Sequence, residues 1–321
     1  MSGSPDVLVI GATGYIGSRL CALLEADGTA FQVLPSELRL GTDDAAIAEA
    51  LAAFRDAGGT RVLCAAAVTG VPNVDACEEP AAREETFRVN CLATAELVRA
   101  CVALGLHCTL YSSGCVFEYD AAHLNNDSSV LDGFDELSWP NFYGSVYSAS
   151  KAELERRLRT DPTTRPAPAD DALPTTPPPP PTGAALNNDH RCLIDDCLLL
   201  RIRMPISDDG DPKCLLTKLR GHAFVVDDAW NSVTRLATAL PASLRLSEAR
   251  VRGIVNLVDP EPVVPWRLLC DADTEEVVRA RGQNPISFRA LQARGLVVAP
   301  RSNCVLRATD LDARIAAALE A

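Results

Sequence analysis

The chain has no apolar run approaching the roughly 18–20 residues that cross a bilayer. It has no basic leader either. Met1-Ser2-Gly3-Ser4-Pro5-Asp6 runs straight into a short apolar stretch, so no signal peptide is expected and the cytoplasm is the expected compartment. No Cys-x-x-Cys pair occurs among its 12 cysteines, which argues against zinc. Cys21, Cys64, Cys101 and Cys108 sit in apolar contexts and read as small buried hydrophobes in a reducing environment. Positive charge is in deficit, 30 Lys and Arg against 43 Asp and Glu for a net charge of −13. That excludes nucleic acid or an anionic membrane as the main partner. An anionic small molecule stays open where basic residues gather, with Arg39, Arg203, Lys218 and Arg301 as candidates. There is no internal repeat.

What is present is an alternation. Val7-Leu8-Val9-Ile10 is a continuous apolar run, as a strand covered on both faces requires. A helix through Ile16, Leu20, Leu23 and Leu24 follows, then a strand at 31–34 and a helix through Ile47, Leu51 and Phe54. A strand at 62–66, a long helix from about 81 to 104 and a strand ending at Ser112-Ser113 continue the series. Strand–helix alternation predicts an α/β fold, a doubly wound parallel Rossmann sheet. The expected division is a dinucleotide domain over 1–204, with a segment near 222–258 returning to it. A smaller C-terminal substrate lobe is expected from 205–221 and 259–321. Between 160 and 191 nine prolines occur, five of them consecutive at Pro177–Pro181. With so few apolar residues this stretch is expected to be a disordered, polyproline-like excursion.

Gly11-Ala12-Thr13-Gly14-Tyr15-Ile16-Gly17 lies between a strand and a helix, where a dinucleotide site needs it. The first glycine permits the tight turn, the second lets backbone approach a pyrophosphate, and the third lets helix pack on strand. The helix N-terminus then faces the phosphates. Thr13, Tyr15 and Ile16 complete the turn, and Ala65 and Ala66 at the end of the third strand complete the cofactor edge. No acid ends the second strand, whose Val33-Leu34-Pro35-Ser36 is followed only later by Glu37. Arg39 suits a 2′-phosphate, so NADPH is the expected cofactor and NADH the alternative.

Tyr147 and Lys151 are four apart at the start of a helix and point the same way. The expectation is that the ammonium lowers the phenol's pKa so that Tyr147 protonates a carbonyl oxygen. Ser113, at the carboxyl end of a strand, can share that oxygen.

These residues resemble the extended short-chain dehydrogenase/reductase superfamily. Four longer stretches, 67–78, 114–123, 201–207 and 299–303, resemble the nucleotide-rhamnose synthase/epimerase-reductase family. That resemblance implies epimerisation at C3 and C5 of a UDP- or dTDP-linked 4-keto-6-deoxyglucose, then reduction at C4 with NAD(P)H. By resemblance Ser113 stands where the family has a catalytic threonine, Tyr147 and Lys151 complete the reduction triad, and Cys115 and Lys218 match the epimerisation pair. Thr69, Asn73, His123, Arg203 and Arg301 are the implied substrate contacts, Arg301 on the diphosphate. A homodimer and a functional partnership with a nucleotide-glucose 4,6-dehydratase are further expectations.

Bland alternatives stand beside these. Cys115 could be a packing cysteine, Lys218 a solvated helix lysine, Arg301 a surface arginine and His123 a structural hydrogen-bonding group. Asn73, Asp75 and Glu78 shape the pocket without an assignable role, and Asn90 reads as a backbone-bonding residue. Two departures from the family pattern are Ser113 itself and Val263-Val264-Pro265-Trp266-Arg267, which lacks the expected His-Asn-Glu character. The competing functions are a reductase acting only on already epimerised substrate, and a non-catalytic dinucleotide-binding regulatory subunit.

Overall fold

The fold is that of a computed structural model, which describes residues 5–121, 123, 133–160, 173–178 and 192–320. β1 (Val7–Ile10) leads through the glycine turn into α1 (Tyr15–Ala26), followed by β2 (Phe31–Val33), α2 (Asp44–Asp56) and β3 (Arg61–Cys64). The long helical stretch is α3 (Pro80–Phe87), a π-helical turn (Arg88–Ala93) and α4 (Thr94–Ala103), and it feeds β4 (His107–Ser113). α5 (Val146–Arg159) and β5 (Cys197–Ile202) complete the next unit. Beyond β5 come β6 (Pro205–Ile206), α6 (Leu215–Arg220), β7 (Phe224–Val226) and β8 (Thr234–Arg235), then α7 (Leu236–Glu248) and β9 (Gly253–Asn256). The chain finishes with α8 (Pro265–Asp273), α9 (Glu275–Ala280), β10 (Asn284–Ile286), α10 (Phe288–Ala293) and α11 (Leu311–Glu320).

The main sheet has six parallel strands in the order β2-β1-β3-β4-β5-β9. Successive residues of β1 serve opposite faces: Leu8 and Ile10 join one core cluster, Val7 and Val9 the other. Two-sided burial is why the strands read as unbroken apolar runs. Helices cover each face through stripes such as Ile47, Leu51 and Phe54 of α2. The chain leaves β1 toward β2 on one side and returns as β3 on the other. The crevice above the carboxyl ends of β1 and β3 is therefore the switch point where such sheets bind ligands.

A second lobe has its own core of Ile206, Cys214, Leu215, Leu219, Val225, Trp266 and Leu269. Its boundaries differ from those read in the sequence. β7, within the segment assigned to the main domain, pairs with β10 in the lobe, whereas α7 and β9 return to the large sheet. α11, assigned to the lobe, lays Leu311, Ile315 and Ala318 on the main-domain core beside α7. The reason is local: strands of two or three residues carry no periodicity, so only their pairing reveals where they belong.

Of the proline-rich excursion, 173–178 is described, and Leu173 is partly buried against two core clusters. The rest of that expectation falls outside the described residues. Among the described residues no helix is long and apolar enough to cross a membrane.

Candidate active site

The three glycines of the first turn do separate work. Gly11 has φ +82°, and a Cβ there would lie 2.6 Å from the Ala66 nitrogen and 2.8 Å from its Cα. Ala65 and Ala66 are thus the wall against which the turn is pressed. A Cβ on Gly17 would fall 2.1 Å from the Gly11 oxygen, so helix and turn touch backbone to backbone. Gly14 is different: a Cβ there meets only the Gly11 oxygen, at 3.2 Å. Space remains open at that point, and Gly14 caps α1 without a side-chain hydrogen bond, leaving first-turn amides for an anion. Thr13 is exposed on the rim, and Tyr15 and Ile16 pack inward against the core. Arg39 is exposed in the loop after β2, its amide fixed by Asp43 Oδ2 at 2.8 Å. These residues fit a dinucleotide: Gly11, Gly14 and Gly17 for close backbone approach, and Arg39 for a further phosphate.

The second group converges on the start of α5. Ser145 caps that helix, its Oγ accepting from the Ser148 amide at 3.1 Å. Glu78 Oε1 accepts from the Val146 amide at 2.7 Å and tethers the same end. This supplies the role that the sequence left open for Glu78. Tyr147 lies in the first turn and Lys151 one turn on. Ser113 is buried at the end of β4, near enough to Tyr147 to act on its phenol, and its Oγ accepts from the Cys115 amide at 3.0 Å. Asn90, in the π-helical turn, clamps Val68 through two bonds of 2.8 Å and reaches Ser150 Oγ at 3.3 Å. It is the backbone-bonding residue expected, and it joins the loop after β3 to α5.

The electrostatics correct one expectation. Burial raises the Tyr147 phenol far above its ordinary value, the nearby Cys115 adds to the rise, and the Ser113 hydroxyl opposes it only in part. The ammonium was expected to lower the phenol, but desolvation wins. Tyr147 therefore holds its proton at neutral pH, as a donor must. Lys151 is 3% exposed, and burial lowers it to about 8 while Cys64 and Cys91 pull the other way.

Lys218, far away in sequence, comes to the same edge. Burial and then Lys213 lower its ammonium, and Cys115 is the first of the groups that oppose this. The structure thus brings Cys115 and Lys218 within electrostatic reach of one another, and Cys115 within reach of Tyr147.

The implied substrate contacts divide. Arg301 is partly exposed; it pairs with Asp75 at 2.6 Å and bonds the Ala299 carbonyl at 3.0 Å. Arg301 first, among its partners, holds the Asp75 carboxyl below the ordinary range despite burial, which acts the other way. Asn73 caps the short turn that carries Asp75, its Oδ1 accepting from the Asp75 amide at 2.8 Å. Thr69 lies partly buried in the loop after β3. His123 stacks on Phe134 at 3.9 Å and bonds Asp120 through Nδ1 at 2.8 Å, which is the structural alternative.

Arg203 does not fit an open contact. It is 1% exposed and donates to the Gly114 carbonyl at 3.3 Å, to Ser302 Oγ and O at 2.9 Å, and to Asn231 Oδ1. It is a strut beneath the Cys115 loop. Its partners Asn231 and Ser302 were missed in the sequence, because nothing in local pattern marks neutral residues that receive a buried guanidinium.

The family described as the RmlD substrate binding domain matches residues 5–163. A bifunctional dTDP-4-dehydrorhamnose 3,5-epimerase/dTDP-4-dehydrorhamnose reductase of Arabidopsis thaliana is 33% identical over 315 residues, which is 97% of this chain and 87% of that protein. The chain belongs to the nucleotide-rhamnose synthase/epimerase-reductase family. A trifunctional UDP-glucose 4,6-dehydratase/UDP-4-keto-6-deoxy-D-glucose 3,5-epimerase/UDP-4-keto-L-rhamnose-reductase of the same plant is 34% identical over 254 residues, 79% of this chain. The chain spans only 31% of that longer protein. In fold, it is similar to the crystal structure of the L780 UDP-rhamnose synthase of Acanthamoeba polyphaga mimivirus, with TM-score 0.74, 24% identity, and coverage of 96% of this chain and 92% of that one.

Proposed function

We propose that the protein makes a nucleotide-activated L-rhamnose by 3,5-epimerisation and then 4-keto reduction of UDP- or dTDP-4-keto-6-deoxyglucose. The observation that supports this reading is that Cys115, whose amide bonds Ser113 Oγ, acts electrostatically on both Tyr147 and Lys218. A plain ketone reductase needs only Ser113 and Tyr147 with Lys151.

The carbons flanking a ketone are acidic only when the enolate oxygen is stabilised, a task for the hydroxyls of Ser113 and Tyr147 in this reading. Cys115, as thiolate, takes the proton from carbon; Lys218 returns one to the opposite face. A bound nicotinamide would then supply hydride to C4. Tyr147 gives its proton to the C4 oxygen, and Lys151 steadies the phenolate left behind. Arg39 favours NADPH over NADH. A 4,6-dehydratase, which the trifunctional relatives carry in the same polypeptide, is the class of enzyme that supplies the substrate. All 12 cysteines are free, which supports action in a reducing cytoplasm.

The test is Cys115→Ala. In D2O the wild type should incorporate deuterium at C3 and C5, and the variant should lose that incorporation by about a hundredfold or more. Reduction of a pre-epimerised substrate should survive. Unchanged uptake would remove the thiol as base. Wild-type protein that neither exchanges deuterium nor oxidises NADPH would favour the regulatory-subunit reading.

A further inference from the structure

Lys218 stands on α6, a helix of six residues, too short to hold its position alone. Its apolar side is seated in the second lobe through Leu215 and Leu219, and Arg220 pairs with Asp273 on α8 at 2.7 Å. Tyr15 of the dinucleotide domain packs against that apolar core, but non-directional packing does not fix the orientation of α6 there. A separate set of bonds does. Tyr15 OH, on the first turn of α1, donates to Ser207 Oγ at 2.9 Å, and Ser207 Oγ donates to Asp209 Oδ1 at 2.7 Å. Arg19, one turn along α1, pairs with Asp209, reaches Asp211 at 3.4 Å and lies 4.2 Å over the Tyr15 ring. The backbone of Ser207 is in turn locked to the start of α6. Its amide meets Cys214 Sγ at 3.4 Å, and that thiol donates to the Ser207 carbonyl at 3.2 Å. Cys214 is the N-cap of α6, and its carbonyl accepts from the Lys218 amide at 3.1 Å.

We propose that Ser207, bonded to Tyr15 of the dinucleotide helix and linked through Asp209 to Arg19, is a positioning residue that sets Lys218 against Cys115. This rests on the function proposed above and deepens it: the helix whose N-terminus receives the dinucleotide also holds the proton donor of the epimerisation step. Arg19 has a second part in the clasp. Asp211 is among the groups that attract the Lys218 ammonium. Arg19 engages that carboxylate at 3.4 Å and so competes with Lys218 for it.

The geometry makes a selective prediction. Removing the Ser207 hydroxyl takes away its bonds to Tyr15 and Asp209 and loosens the 207–214 turn on α1, while the Arg19 pairs and the lobe core remain. Ser113, Tyr147 and Lys151 lie on β4 and α5, outside the clasp. With NADP+ bound and UDP-4-keto-6-deoxyglucose in D2O, Ser207→Ala should lower kcat for deuterium exchange about tenfold with KM changed less than about twofold. Hydride transfer from NADPH to pre-epimerised UDP-4-keto-L-rhamnose should fall less than about twofold, and Ser207→Thr, which keeps the hydroxyl, should restore exchange. Loss of both activities in parallel, intact exchange, or failure of Thr to rescue would each overturn the clasp. If the wild type itself exchanges no deuterium, the functional reading falls and the clasp with it. If the wild type exchanges and Ser207→Ala matches it, only the clasp falls.

Discussion

Lys151 shows at the scale of one residue how a site is maintained against stability. Its spacing from Tyr147 was legible, because four residues is one helical turn. The environment of both groups was not, because desolvation depends on what the rest of the chain lays over them. The structure puts the ammonium among the thiols Cys64 and Cys91 and lowers it from 10.5 to about 8, a difference equivalent to roughly 3 kcal/mol. The sign follows from the direction. Below pH 8 the lysine is charged in both the folded and the unfolded chain, and the folded state bears the full cost of burying it. Between 8 and 10.5 the folded lysine is neutral, so that cost fades. Lys151→Met should therefore raise the thermal midpoint at pH 7, and the gap from wild type should close as pH climbs past 8. The same variant should lose reduction. Wild-type reductase kcat should fall through pH 8 as the ammonium is lost. A Lys151→Met protein less stable than wild type at pH 7 would refute the assignment.

At the scale of elements, what the sequence made legible is what repeats. Strands covered on both faces must be apolar throughout, and helices over them must carry a stripe, so β1, α1, α2, β4 and α5 announced themselves. β6, β7, β8 and β10 run for two or three residues each and pair across the chain, so no window of sequence contains their signal. The glycine turn was legible as a pattern, but its three positions differ in ways only distances show. At Gly17 a methyl group would overlap the Gly11 carbonyl, whereas at Gly14 it would only crowd it. Gly17→Ala should therefore cost several kcal/mol, on the order of an overpacked core position or more, and yield little folded protein. Gly14→Ala should fold, with a midpoint within a few degrees of wild type, yet bind NADPH at least about tenfold more weakly because the methyl occupies the approach of the phosphates. Thermal melts and a fluorescence titration separate the two. Equal NADPH affinity in Gly14→Ala would remove that glycine from the cofactor site.

For the whole molecule, the decisive question is what makes two lobes present one site, and Arg203 answers much of it. Five residues in sequence were given to substrate contact; the structure turns this one inward, where its guanidinium gathers the loop after β4 through Gly114, the approach to β8 through Asn231, and the returning C-terminal segment through Ser302. Its backbone amide adds Thr234 Oγ1 at 3.1 Å. Sequence could show that an arginine was present but not that it lay 1% exposed, since burial of a charge is bearable only where distant segments supply its acceptors. The planar fork matters because four acceptors lie around it, and an ammonium cannot reach them together. Arg203→Lys keeps the charge and should still lose about 3 kcal/mol, the worth of one or two hydrogen bonds to a charged group. The loss should also loosen the lobes from each other. Trp230 and Trp266 lie in or beside the second lobe, whereas Trp139 packs under Arg159 of α5; with Trp139 replaced by Phe, tryptophan fluorescence should report unfolding at lower urea than far-UV circular dichroism, which follows the large sheet and its helices. In the wild type the two transitions should coincide, as they do for a single cooperative unit. Coincident and unshifted transitions in Arg203→Lys would show that the lobes are joined by other means, and that the arginine under Cys115 carries no more than its own side chain.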